Sequence, residues 1–158
     1  GAAFLHVAYS HPAAEHEAAA VAKWATRRGV DVFTATVPMI ATQLGDGNGP
    51  CVVPARNLVL VALAGNFAAA IGASRVLLGA CAADFEYPDC NEEFAKAASA
   101  LLNPWGVEVC LPLVQVDKAA ILRRANELGI LAESWSCYRP SADRPCGEGA
   151  ECLWRAIQ

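Results

Sequence analysis

The stretch RVLLGACAADFEYPDCNEEFAKAASALL, residues 75–102, decides the architecture of this chain. It opens with RVLLGA, an apolar run of strand length, and crosses ADFEYPDC, a loop of acids and aromatics. It then enters NEEFAKAASALL, whose apolar residues recur at the period of an amphipathic helix. VEVCL, residues 107–111, supplies a second strand beyond that helix, so the segment reads as one parallel βαβ unit.

Working outward, the alternation repeats. FLHVA, residues 4–8, reads as a short buried strand, and AAEHEAAAVAKWATRR is an alanine-rich helix that Gly29 can close in the left-handed conformation. VDVFTATV follows as a β-rich run, and GDGNGP, residues 45–50, is loop. An apolar helix runs from near Asn57 to Gly72 and is expected to be buried on most sides. DKAAILRRANELG is a helix framed by Asp117 and Gly129. Strand–helix alternation with short apolar strands predicts an α/β fold: a three-layer, Rossmann-like parallel sheet with helices on both faces and ligands at the strand C-terminal ends. The pattern stops at Ser134, so a single domain over residues 1–158 is expected, with a cysteine-bearing tail at 134–158 that closes on the helical stretch LWRAI.

At 158 residues and 55% hydrophobic, the chain can bury one core, and much of its apolar surplus is alanine. That surplus leaves open a homodimer interface or a surface shaped for an absent segment. A formal charge of -4 with no run of Lys or Arg gives no footprint for nucleic acid or an anionic membrane. No apolar run reaches membrane-spanning length and the N-terminus lacks the order of a secretory signal, so a cytoplasmic setting is expected. There, seven cysteines are core residues, metal ligands or reactive thiols rather than disulfides.

Three segments fall where this geometry puts function: VVPARN, GACAADFEYPDCNEEF and the tail that begins SCY. Together they resemble the 7-cyano-7-deazaguanine synthases, the QueC or ExsB group of the ATP-pyrophosphatase (PP-loop) superfamily. VPARN is similar to that family's V-P-G-R-N, DFEYPDC to its D-[FY]-S-G-Y-P-D-C, PLVQVDKAAI to its P-L-x-x-x-D-K, and SCY…CG…C to its zinc tail. The likeness runs from about Tyr9 to the end, with the acidic loop one residue shorter than in the family.

Physically, VPARN sets a cation and a polar cap at a helix start, where free N–H groups and the helix dipole favour an anion. Arg56 could hold a phosphate or carboxylate; the alternative is that Asn57 simply caps a buried helix with Arg56 on the surface. In the acidic loop, Asp84 or Asp89 could accept adjacent N–H donors of a deazaguanine edge while Tyr87 or Phe85 stacks on the ring. The bland alternative is a solvated loop with Asp89 or Asn91 capping the next helix. The resemblance implies a substrate pocket of Arg56, Asn57, Asp84, Tyr87, Asp89 and Cys90, with Arg56 and Lys118 as phosphate contacts. A first-turn surface lysine is the alternative for Lys118. Cys51, Cys81, Cys90 and Cys110 are expected as small apolar or pocket-wall residues. His6, His11 and His16 recur every fifth position, which suits neither one helix face nor a metal triad, and they receive no role.

Cys137, Cys146 and Cys152 match three of the family's four zinc ligands, and Gly149 stands at the fourth. Three thiolates completed by water, or by Glu148, would hold zinc more weakly than four; a tail held by packing of Trp135, Tyr138 and Trp154 is the alternative. Family members also begin with a strand and an S-G-G-x-D-S turn that cradles ATP phosphates, and this sequence contains no such turn. Its Gly1-Ala2-Ala3-Phe4 corresponds to the family's second strand, so the expected fold lacks the first strand, the phosphate loop and the first helix, and the ATP and magnesium of the family reaction lose their loop. The resemblance implies ATP-dependent conversion of 7-carboxy-7-deazaguanine and ammonia to the 7-cyano compound. Two other readings stay open: a degenerate, non-catalytic binding or scaffolding homologue, and a chain whose N-terminal part is truncated or supplied separately.

Overall fold

Parallel strands joined by helices form the chain, in the α/β class that the alternation predicts. The computed structural model describes residues 2–38 and 53–156. The loop GDGNGP and Cys51 therefore lie outside the described residues. The chain divides into two compact units, residues 1–52 with 119–158, and residues 53–118. The four described strands pair as two parallel ladders, one in each unit.

In the first unit, β1 (Phe4–Ala8) and β2 (Val32–Thr36) run parallel in the register Phe4↔Val32 to Ala8↔Thr36. The helix between them, α1 (Ala14–Arg28), carries Glu15 and Glu17 in its first turn and Arg27 and Arg28 in its last, the order that suits the helix dipole. Gly29, at φ 62°, ends it as expected and donates its N–H back into the last turn. Trp24 of α1 meets Phe4 of β1 edge-on, with ring centroids 4.7 Å apart. Arg27 pairs with Glu133 in the 3-10 turn Leu131–Glu133, which ties α1 to the C-terminal part of the unit.

The second unit contains α2 (Arg56–Ile71), β3 (Arg75–Leu77), α3 (Glu92–Leu102) and β4 (Glu108–Cys110). Its strands pair in the register Arg75↔Glu108 to Leu77↔Cys110. Asn91 caps α3 through its side chain, which accepts the Phe94 N–H at 2.9 Å. Ser99 fastens α3 to β4 by accepting the Val109 N–H at 2.9 Å. Val61, Ala80, Cys90, Ala95, Ala98, Val109 and Leu111 form the core, with Phe94 and Leu102 packed against it.

So many small residues bury little area each, where a buried valine or leucine contributes about 1.5–3 kcal/mol. Close approach compensates. A Cβ on Gly65 would sit 2.6 Å from the Leu102 methyls, so glycine is what lets α2 lie against the end of α3. The expectation that α2 is buried on most sides is corrected: Val61, Gly65 and Ala68 form a buried stripe, while Leu58 and Ile71 are each 48% exposed. Spacing of three and four residues confines burial to one face, however apolar the rest.

After unit 2 the chain forms α4 (Lys118–Glu127), turns at Gly129 with φ 67°, and ends in α5 (Ala150–Ala156).

Ala55, just before α2, has φ 52°, a left-handed conformation that a β-carbon disfavours. Ala55→Gly should therefore raise the unfolding free energy by about 0.5–1 kcal/mol, the relief of strain outweighing the extra freedom of the unfolded chain. Urea melts of the two proteins measure this.

Candidate functional site

A helix whose N-cap residue offers no side-chain acceptor must find one elsewhere, and α2 is such a helix. Its acceptor comes from the acidic loop: the Asn57 N–H donates to Asp89 Oδ2 at 2.8 Å. The Asn57 side chain returns the link, donating through Nδ2 to the Asp89 carbonyl at 2.9 Å and to Cys90 Sγ at 3.1 Å. VPARN and DFEYPDC thus meet in space. Asp89 caps a helix, but it is α2 rather than the following α3, which Asn91 caps. A carboxylate at this end of a helix also gains from the dipole.

Asp84 plays a similar local part, accepting the Cys81 N–H at 2.8 Å across the 3-10 turn Ala82–Asp84. Each aspartate spends one oxygen on the backbone in these bonds. Tyr87 and Phe85, the expected stacking residues, are 39% and 72% exposed. Arg56 is half-buried in the first turn of α2.

The cysteines register these charges. Burial first, then the negative charges of Asp89 and Asp84, pushes the Cys90 thiol up to about 11, with Arg56 pulling the other way. Burial likewise raises the Cys81 thiol; the Ala83 backbone hydrogen bond and the Lys118 ammonium lower it, and Asp84 raises it. Arg56, Asp84 and Asp89 therefore act on Cys90, and Asp84 and Lys118 on Cys81. At neutral pH both cysteines are protonated, and Cys81 and Cys90 are buried, as free cysteines commonly are; Cys110 is half-buried.

The tail forms a second centre within the first unit. A tight return at residues 141–144, closed by the Ser141 and Arg144 backbones, brings Cys146 back to Cys137, and α5 carries Cys152 in. Cys146 Sγ lies 3.6 Å from Cys137 Sγ and 3.7 Å from Cys152 Sγ. A tetrahedral zinc–thiolate site with Zn–S of about 2.3 Å has sulfur–sulfur edges of about 3.8 Å, so the three sulfurs fit three corners of one. Cys137 and Cys152 are buried. Backbone N–H groups of Glu148 and Gly149 hold the Cys146 thiol down to about 7, whereas burial pushes Cys152 up. Among the described residues no histidine or carboxylate joins the cluster, and Glu148 is exposed. These cysteines could hold a metal ion. The Trp135 indole N–H donates to the Cys137 carbonyl at 2.8 Å, so packing and cysteines act together in the tail, while Tyr138 and Trp154 stay more than a third exposed.

Residues given no role in the sequence reading have partners here. His11 Nε2 is 3.4 Å from Glu17 Oε2, and His16 stacks on Trp135 at 4.2 Å. Sequence spacing carries no sign of either, because each contact is made by folding. No helix among the described residues is long and apolar enough to cross a membrane.

A loop that leaves a parallel strand and closes on the start of a neighbouring helix belongs to the α/β class, here with a cluster of three cysteines in the tail that could hold a metal ion. More narrowly, the chain belongs to the family described as queuosine biosynthesis protein QueC, whose model matches residues 3–157. It is 44% identical over 110 residues to the 7-cyano-7-deazaguanine synthase of Archaeoglobus fulgidus, covering 66% of this chain and 46% of that protein. The synthase of Gloeothece citriformis is 42% identical over 113 residues, 65% of this chain and 49% of its own length. That of Novosphingobium aromaticivorans is 37% identical over 138 residues, 80% and 59% respectively. The chain thus spans about half the length of the curated relatives it matches.

Two measurements probe these centres. Asp89→Asn removes a charge that raises the Cys90 pKa, so iodoacetamide should label Cys90 faster in the variant at pH 9, by several-fold in peptide mass spectra. A Cβ on Gly149 would lie 3.7 Å from Cys146 Sγ, an ordinary contact, so Gly149→Cys can supply a fourth sulfur. The variant should bind added Co2+ at least tenfold more tightly than the parent, read from its tetrahedral thiolate absorption in chelator competition.

Proposed function

We propose that this chain contributes the deazapurine-binding part of a 7-cyano-7-deazaguanine synthase in queuosine-precursor synthesis. The observation that carries the reading is the bonding of Asn57 to Asp89 and Cys90, which joins two segments thirty-two residues apart into one corner. The substrate would be the 7-carboxy-7-deazaguanine that the sequence resemblance implies, and the relatives' name, 7-cyano-7-deazaguanine synthase, supports a deazapurine of this kind.

In such a corner the ring's N–H edge faces the aspartates. Asp89 Oδ1, whose contact with Cys90 Sγ at 3.8 Å is long, and the second oxygen of Asp84 are the acceptors. Tyr87 is exposed enough to close over a flat ring. Arg56, at the positive end of α2, would neutralise the substrate carboxylate or a phosphate, and Lys118 would meet the phosphates of ATP. Cys90 keeps its proton and so serves as wall rather than nucleophile. Zinc held by Cys137, Cys146 and Cys152 would brace the tail. Six free cysteines among the described residues suit a reducing, cytoplasmic setting.

Calorimetry with 7-carboxy-7-deazaguanine tests the reading. Saturable binding is expected, weakened about tenfold or more by Asp89→Asn and by Arg56→Ala. Binding that neither variant changes would overturn it. Adding ATP and ammonium, with and without a separate fragment bearing a glycine-rich phosphate turn, separates a competent synthase from a protein that only binds the base.

A further inference from the structure

Cys137, Cys146 and Cys152 offer a metal ion three sulfurs, and among the described residues no other histidine, cysteine or carboxylate joins them. Gly149 stands where the family likeness puts a fourth cysteine. A Cβ built on it would meet Cys146 Sγ at 3.7 Å and, its own chain neighbours aside, no other described atom within 4 Å. One built on Gly147 would meet nothing within 4 Å. The side of the cluster next to these two glycines is therefore clear of described side chains.

Solvent reaches the cluster from that same side. Cys137 and Cys152 are buried, Cys146 is half-buried, and Gly147, Glu148 and Gly149 are exposed. Backbone donors already support the sulfurs. The Cys146 N–H donates to Cys137 Sγ at 3.3 Å, and the Glu148 and Gly149 N–H groups donate to Cys146. Donors of this kind spread the negative charge that thiolates bring to a metal, which helps a site take one more anionic ligand. Zinc-type ions favour sulfur and four-coordination, and a set of three protein ligands leaves the fourth place exchangeable.

We propose that the Cys146–Gly149 turn leaves the fourth coordination position of the tail metal to a ligand from solution, and that a small thiol takes it. The thiol releases its proton to solvent as its sulfur replaces a water on the metal; no electrons are transferred. The proposal rests on the reading that the three cysteines hold zinc, and it is independent of the Asn57–Asp89 corner, which lies in the other compact unit.

The intact chain loaded with Co2+ in place of zinc, kept under nitrogen and titrated with 2-mercaptoethanol, provides the test. The sulfur-to-cobalt absorption should rise saturably by about one third, the share that one sulfur adds to three, and ethanol should leave it unchanged. Gly149→Cys should begin at the higher intensity and ignore the thiol. Glu148→Gln should respond as the parent does, since the Glu148 carboxylate is no ligand in this scheme. The comparison of thiol with ethanol on the parent decides the matter even if Gly149→Cys fails to fold. A cobalt spectrum that the thiol leaves unchanged, four-sulfur intensity in the parent before any thiol is added, absorption that only falls as the thiol extracts the metal, or a response lost in Glu148→Gln would each overturn the proposal and leave the metal reading standing. Absence of any sulfur-to-cobalt absorption in the parent would overturn both.

Discussion

The start of α2 is the constraint around which the second unit is organised. Ala55 enters the helix in a strained left-handed conformation and no local side chain caps it, so the first turn takes its acceptor from Asp89. Because that acceptor lies across the fold, capping the helix and positioning the acidic loop are a single event. Asn57 makes the arrangement reciprocal: its backbone gives to the Asp89 carboxylate and its side chain to the Asp89 carbonyl and the Cys90 sulfur. The family motif resembled by VPARN has glycine where this chain has Ala55, which fits a position where φ is 52°.

Much of the fold was legible because its signals are local. Gly29 and Gly72 both end helices in the left-handed conformation, and FLHVA and NEEFAKAASALL form the strand and helix their patterns predict, with Asn91 as the cap. The one-sided burial of α2 was not legible, since an apolar helix looks the same whether one face or several are covered. In the corner, residue types pointed to VPARN and DFEYPDC separately. Only the family likeness joined them, and nothing local says which of two helices Asp89 will cap. The tail cysteines were singled out through the family likeness rather than by spacing alone, and folding brings the three sulfurs together. The hollow in the first unit lined by His6, Glu17, Trp24 and Trp135 was invisible: its lining comes from β1, α1 and the stretch just after the 3-10 turn Leu131–Glu133, and no motif links those stretches.

The same residue type takes opposite roles in the two units. Cys90 sits beside two carboxylates in a buried place and keeps its proton, while Cys146 receives backbone N–H groups from Glu148 and Gly149 and is disposed to lose it. One environment makes sulfur a quiet packing atom and the other makes it a group that could ligate a metal ion. Composition alone could not have sorted seven cysteines this way; the surrounding charges and amides do.

Both strand ladders are parallel, with partners such as Phe4 and Val32, or Arg75 and Glu108, separated by about thirty residues of chain. Neither ladder can begin to zip until a long loop has closed, an entropic toll levied before any pairing is gained. The intervening helices α1 and α3 shorten that loop if they coil first. The order of assembly implied is helix, then docking, then ladder, with the hydrogen bond from Val109 to Ser99 positioned to latch the second unit at the docking step.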